Sequence, residues 1–179
     1  MRILMVTDGF PYPLTSGYLR HYNFITALAL HHEITLFSAV DSTFKEEYRQ
    51  AMAPYTARTL TFLSRATKSK SVPKRLIKAV RTLLGRNQVI RDMRSALERL
   101  LAEERYDVLL LAGEYTYHVI NGLDTPPIIS DMCDAYSERT RGRLKHARRL
   151  ALPGLWIKVL DLQRIERRVI ARAKRVLFA

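Results

Sequence analysis

The chain has 179 residues, 47% of them apolar, and a formal charge of +13. That length fits one domain and that apolar share supports a packed core, which excludes a disordered tail or a small disulfide scaffold. No run approaches the roughly 18 to 20 apolar residues of a membrane-spanning helix, no signal-peptide layout precedes the first apolar run, and the lone Cys133 cannot close an internal disulfide, so a cytoplasmic protein is expected.

The charge is regional. Residues 64–99 hold eleven Lys/Arg against two acids, and residues 139–175 hold thirteen against two, leaving −7 for the rest of the chain. One basic face meeting an anionic partner fits that distribution better than general solubility does.

In chain order, RILMVT (2–7) is an almost continuous apolar, β-leaning run, as a central parallel strand requires. The loop GFPYPLTS follows, and the spacing of Leu19, Tyr22, Ile25 and Leu28 predicts a helix over 18–30. EITLFSAV (33–40) is a second strand. STFKEEYRQAM (42–52) starts with Ser or Thr at capping-box distance from a Glu, predicting a second helix, and ARTLTFLS (57–64) a third strand. Helices are predicted over 73–85, bounded by Pro and Gly, and over 88–104, before a fourth strand at 106–112. PPIISDMCD (126–134) carries a short fifth strand. Helices over 134–148 and 153–173 precede a sixth strand at 175–179, whose position at the end of the sequence leads us to expect a polypeptide that continues. Strands alternating with helices predict an α/β fold: a Rossmann-like, doubly wound, mostly parallel sheet of about six strands flanked by helices, in a single domain over 1–179.

In such a sheet, ligands bind beyond the carboxyl ends of the strands. Gly17, at the start of the first helix, leaves space where free N–H groups favour an anion; the residues alone leave open whether Pro11, Pro13 and Gly17 instead only shape a turn. Asp131 and Asp134, after the fifth strand, are placed to bind sugar hydroxyls, transfer a proton or cap the next helix, and Asp131 is the candidate catalytic group. Glu114, after the fourth strand, stands in a similar position or is a first-turn helix charge. The five histidines have no metal-ligand spacing, His118 and His146 stand isolated, and no metal is assigned. GxGxxG, GxxxxGK[ST] and GxSxG are all absent. Segment 72–84 sets Leu76, Ile77, Val80 and Leu83 on one face and Lys74, Arg75, Lys78 and Arg81 mostly elsewhere, as in a helix lying on an anionic membrane or a helix packed on the sheet with a solvated basic side. Trp156 reads either as an interfacial anchor or as a core aromatic.

The opening MRILMVTDGFPYPLTSGYLRHYNFITALALHHEITLFS resembles the N-terminal domain of GT-B glycosyltransferases of family 4, with a first strand, an FPYP loop, a Ser-Gly turn and a following RxxxxxxALA–HE pattern. DMCDAYSERTR and QRIERRVIARAKRVLFA resemble later parts of that domain. The resemblance implies the acceptor-side half of a retaining, metal-independent, sugar-nucleotide-dependent glycosyltransferase in polysaccharide or glycolipid synthesis, inactive by itself. It implies a UDP- or GDP-sugar donor held by a C-terminal domain that this chain lacks, and a glycan or lipid-linked acceptor, with the protein at the inner face of the membrane. Ser16, Gly17 and Arg20 are then expected at the substrate cleft, with Asp131 to Asp134 lining it. The family's second turn glycine is Tyr18 here, and the His common near the end of the fifth strand is an Asp. The contrasting expectation is a basic α/β module binding nucleic acid or adapting a partner to a membrane. Nucleic acid is disfavoured because aromatics are not interleaved with the basic runs.

Overall fold

The computed structural model describes residues 1–14, 18–64, 88–113, 115–132, 135–147 and 149–177. The first half runs β1 (Arg2–Thr7), α1 (Leu19–Leu28), β2 (Glu33–Val40), α2 (Glu46–Met52) and β3 (Arg58–Leu63). The second runs α3 (Gln88–Glu103), β4 (Val108–Ala112), α4 (Thr116–Ile120), β5 (Ile128–Asp131), α5 (Tyr136–Leu144), α6 (Leu152–Arg172) and β6 (Arg175–Leu177). The described strands form one sheet in the order β3-β2-β1-β4-β5-β6, every pair parallel. The expected doubly wound α/β fold is what the chain adopts.

β1 explains the arrangement. Ile3 to Thr7 pair with Ile34 to Ser38 on one edge and with Val108 to Ala112 on the other. Both faces of the strand are covered. Leu4 and Val6 join Leu109, Leu111 and Phe37 against Met93 and Leu97 of α3 and Leu162 and Val169 of α6. Ile3 and Met5 join Ile34, Leu36 and Leu110 against Ile25 of α1 and Met52 of α2. The alternation of strand side chains thus assigns α1 and α2 to one face and α3 and α6 to the other. The chain changes face between β3 and β4, and the strand order reverses beside β1.

At the amino edge of the sheet, charge pairs close the ends of the strands. Glu104 binds Arg2 at 2.5 Å and Arg58 at 2.6 Å, and the Asp107 carboxylate accepts the Arg2 backbone N–H at 2.7 Å. The Arg2 guanidinium, by hydrogen bonding, holds the Glu104 carboxyl below its usual range.

Several expectations change. α2 begins at Glu46 rather than near residue 42, because Asp41 Oδ1 accepts both the backbone N–H of Thr43 (2.9 Å) and its hydroxyl (2.6 Å), turning the chain before the helix. The capping box is therefore not formed; the residue before the helix is Lys45, with no side-chain cap. α1 stops at Leu28, whose carbonyl accepts the N–H groups of both His31 and His32. α4, five residues long, was not expected from the sequence; its buried Thr116, Tyr117, Val119 and Ile120 are too few to display a helical period. Trp156 is not a core residue: it is 50% exposed. The helix expected over 73–85 lies outside the described residues.

Among the described residues no helix is long and apolar enough to cross a membrane. Leu4→Ala, at a fully buried position of β1, is expected to cost about 2–5 kcal/mol in urea unfolding, against less than about 0.5 kcal/mol for Leu160→Ala on the exposed side of α6.

Candidate functional site

The reversal of strand order between β1 and β4 opens the carboxyl edge of the sheet there, because the loops leaving these neighbouring strands depart toward opposite faces. Two contacts join the loops. The Asp8 N–H donates to the Ala112 carbonyl at 3.2 Å, and the Asp8 carboxylate sits where a side chain on residue 113 would be. Residue 113 is glycine at φ +121°, so both the backbone conformation and the space require the missing Cβ. Asp8 is exposed at the rim. Gly9 plays the same part for Tyr18, whose ring lies where a Cβ on residue 9 would project. Burial raises the Tyr18 hydroxyl above its ordinary pKa, and the charges of Asp8 and Asp41 add to the effect.

The proline loop is tied down by aromatic rings. Phe10 meets Phe44 edge-on at 4.9 Å between centroids, and Tyr12 meets Tyr48 at 5.6 Å, so the loop after β1 packs onto the approach to α2 and its first turn. Below the rim, the Thr7 hydroxyl donates to Ser38 Oγ at 2.8 Å, linking the ends of β1 and β2.

Asp131 ends β5, and its side chain is 0% exposed. Arg20, in the first turn of α1, grips it: Nε lies 3.0 Å from both carboxylate oxygens and Nη2 lies 2.9 Å from Oδ1. The Arg20 side chain remains 33% exposed and its guanidinium lies 5.1 Å from the centre of the Phe24 ring, along an open surface groove lined also by Leu19 and Asn23. His21 is buried behind this pair with Nε2 4.0 Å from Asp131 Oδ2, and its Nδ1 makes no hydrogen bond. Burial lowers the His21 pKa; the Asp131 charge opposes that shift and the Arg20 charge assists it. The imidazole is therefore held neutral.

The sequence-based candidates thus meet in part. Asp131 and Arg20, 111 residues apart in the chain, form one ion pair. Ser16, Gly17, Glu114 and Asp134 lie outside the described residues, as do Lys74, Arg75, Lys78 and Arg81. Sequence reasoning missed Asp8 and His21. The signal for Asp8 was present, since an Asp-Gly pair directly follows the first apolar strand; nothing in the sequence marks His21, whose role comes from its neighbours. His118, isolated in the sequence, faces Asp161 of α6 at 3.5 Å, and the Tyr115 ring stacks on the imidazole. Among the described residues no group of three or more His, Cys, Asp or Glu is placed to hold a metal ion.

These features single out the carboxyl edge beside β1 as the candidate ligand edge of a Rossmann-like α/β domain. Comparison with family models, with curated proteins and with solved structures returned no match for the chain.

Two measurements probe the buried charges. Arg20→Ala strands the Asp131 carboxylate and is expected to cost on the order of 3 kcal/mol in denaturant unfolding, whereas Arg20→Met with Asp131→Leu recovers most of the loss. His21 is less basic folded than unfolded, so the unfolded chain binds more protons below pH about 6.5, and stability falls as pH drops from there through the folded pKa. His21→Leu is expected to flatten that fall in unfolding measurements made between neutral and acidic pH.

Proposed function

We propose that this chain is the acceptor-side domain of a sugar-nucleotide-dependent glycosyltransferase, working with a second Rossmann-like domain that holds a UDP- or GDP-sugar. The acceptor is a glycan or a lipid-linked glycan in cell-surface polysaccharide or glycolipid synthesis. The observation that carries this reading is the position of Asp8: an exposed carboxylate at the strand-order reversal, wedged against Gly113, inside the loop whose sequence resembles the family-4 opening.

The chemistry asks for little else from this half. An acceptor hydroxyl must be aimed at the anomeric carbon of the donor, and its bond must form as the bond from that carbon to the nucleotide diphosphate breaks. Asp8 accepts a hydrogen bond from the hydroxyl, fixing its direction, and takes its proton as the new bond to the anomeric carbon forms and the diphosphate departs. Tyr18, whose hydroxyl stays protonated at neutral pH, donates to a sugar oxygen. Asp131, sealed under Arg20, acts as a positioning group: it sets the first turn of α1 against the end of β5 and so shapes the floor of the cleft.

The test is transfer of labelled sugar from UDP- and GDP-sugars to extracted glycan and lipid acceptors by the polypeptide that carries this domain together with its donor domain. Asp8→Asn is expected to lower kcat/KM on the order of 100-fold with an unchanged unfolding curve. Transfer at the unaltered rate in that variant, or no dependence on any nucleotide sugar, overturns the proposal.

A further inference from the structure

The outer surface of α5 and α6 combines two properties seldom found together. On α6, Trp156, Leu160, Arg164 and Arg167 recur at intervals of four, four and three residues and so share one face, opposite the buried Leu162 and Val169. Trp156 is 50% exposed and Leu160 59% exposed, which leaves two large apolar side chains adjacent in water, with arginines continuing the same stripe. α5 runs antiparallel alongside. The Glu166 carboxylate accepts the Ser137 N–H at 2.8 Å and the Ser137 hydroxyl at 2.6 Å, which sets the register. Seven residues farther on, about 10 Å of helix rise, Leu144 stands level with Val159. Lys145, exposed directly after α5, is thereby brought level with the Trp156–Leu160 turn, and the exposed Arg141 lies one turn earlier on the same side; Arg143, two residues from each, points to the other side of the helix. The one exposed acid on α5, Glu138, is already paired with Arg141 at 2.6 Å.

We propose that this α5–α6 face is a docking surface for an anionic lipid bilayer, with Trp156 and Leu160 entering the headgroup region and the flanking arginines resting on lipid phosphates. The charge decides the occupant. A second copy of the chain would bring the same cations against one another, and a nucleic acid would leave Leu160 against phosphate and water. An anionic interface takes both the apolar pair and the arginines. The surface is built from residues other than those of the basic segment 72–84, and it depends on nothing in the sugar-transfer reading.

Trp156 is the only tryptophan in the sequence, so its fluorescence reports on this face alone. The 179-residue chain is titrated with vesicles of phosphatidylcholine alone, with vesicles also containing phosphatidylglycerol, and with a mixed-sequence oligonucleotide. The expected result is a blue shift and protection from iodide quenching with the anionic vesicles only, reversed by raised salt. Lys145→Gln with Arg164→Gln and Arg167→Gln is expected to lower vesicle partitioning on the order of 100-fold, with an unchanged circular dichroism spectrum. The proposal is overturned if vesicles sediment the chain while Trp156 stays water-exposed, which puts the contact elsewhere. It is equally overturned if no vesicle binds, if the two vesicle types act alike, if the oligonucleotide shifts Trp156 at lower concentration than the vesicles, or if the shift follows protein concentration without lipid.

Discussion

The pairing of β1 on both edges is the constraint from which the remaining architecture descends. A strand hydrogen-bonded to β2 and β4 and buried on both faces cannot be reached by solvent except at its ends. Its neighbours are parallel, so each connection must cross a face of the sheet, and helices accumulate on both sides. The two ends then differ in kind. The amino end is shut by Arg2, Glu104, Arg58 and Asp107; the carboxyl end is where connections diverge and where polar side chains stay accessible.

Two aspartates at that carboxyl end show how environment divides similar groups. Asp131 has its carboxylate enclosed and gripped by a guanidinium, so it organises structure. Asp8 lies at an exposed rim, its placement set by a missing side chain on the neighbouring loop. The histidine behind Asp131 is kept uncharged by burial, which avoids a second cation beside Arg20.

Much of the fold is legible in the residue order because its strands are short, apolar and separated by helices of clear period; β1 and β2 carry the limits that hydrophobicity alone indicates. Legibility fails where a side chain overrides a local pattern. Asp41 captures Thr43 and delays α2, and α4 is too short to show its period. The site is less legible still. The Arg20–Asp131 pair joins positions far apart in the chain, and each of its members taken alone resembles a substrate-binding group, so only the folded geometry reveals that they hold one another. The space for Asp8 depends on Gly113, a residue that in sequence is only the end of an apolar run.

The link between Glu166 and Ser137 bears on the order in which the domain assembles. α5 has nine residues, and the residue before it, Ala135, offers no side chain to its free N–H groups. A helix that short is marginal in water. The acceptor for its first turn arrives from α6, 29 residues later. As the chain emerges during synthesis, residues 136–144 therefore have no persistent helix to form until α6 has emerged and docked, and the sheet gains β5's neighbour β6 only after that. The helix of α5 thus depends for its stability on the docked α6.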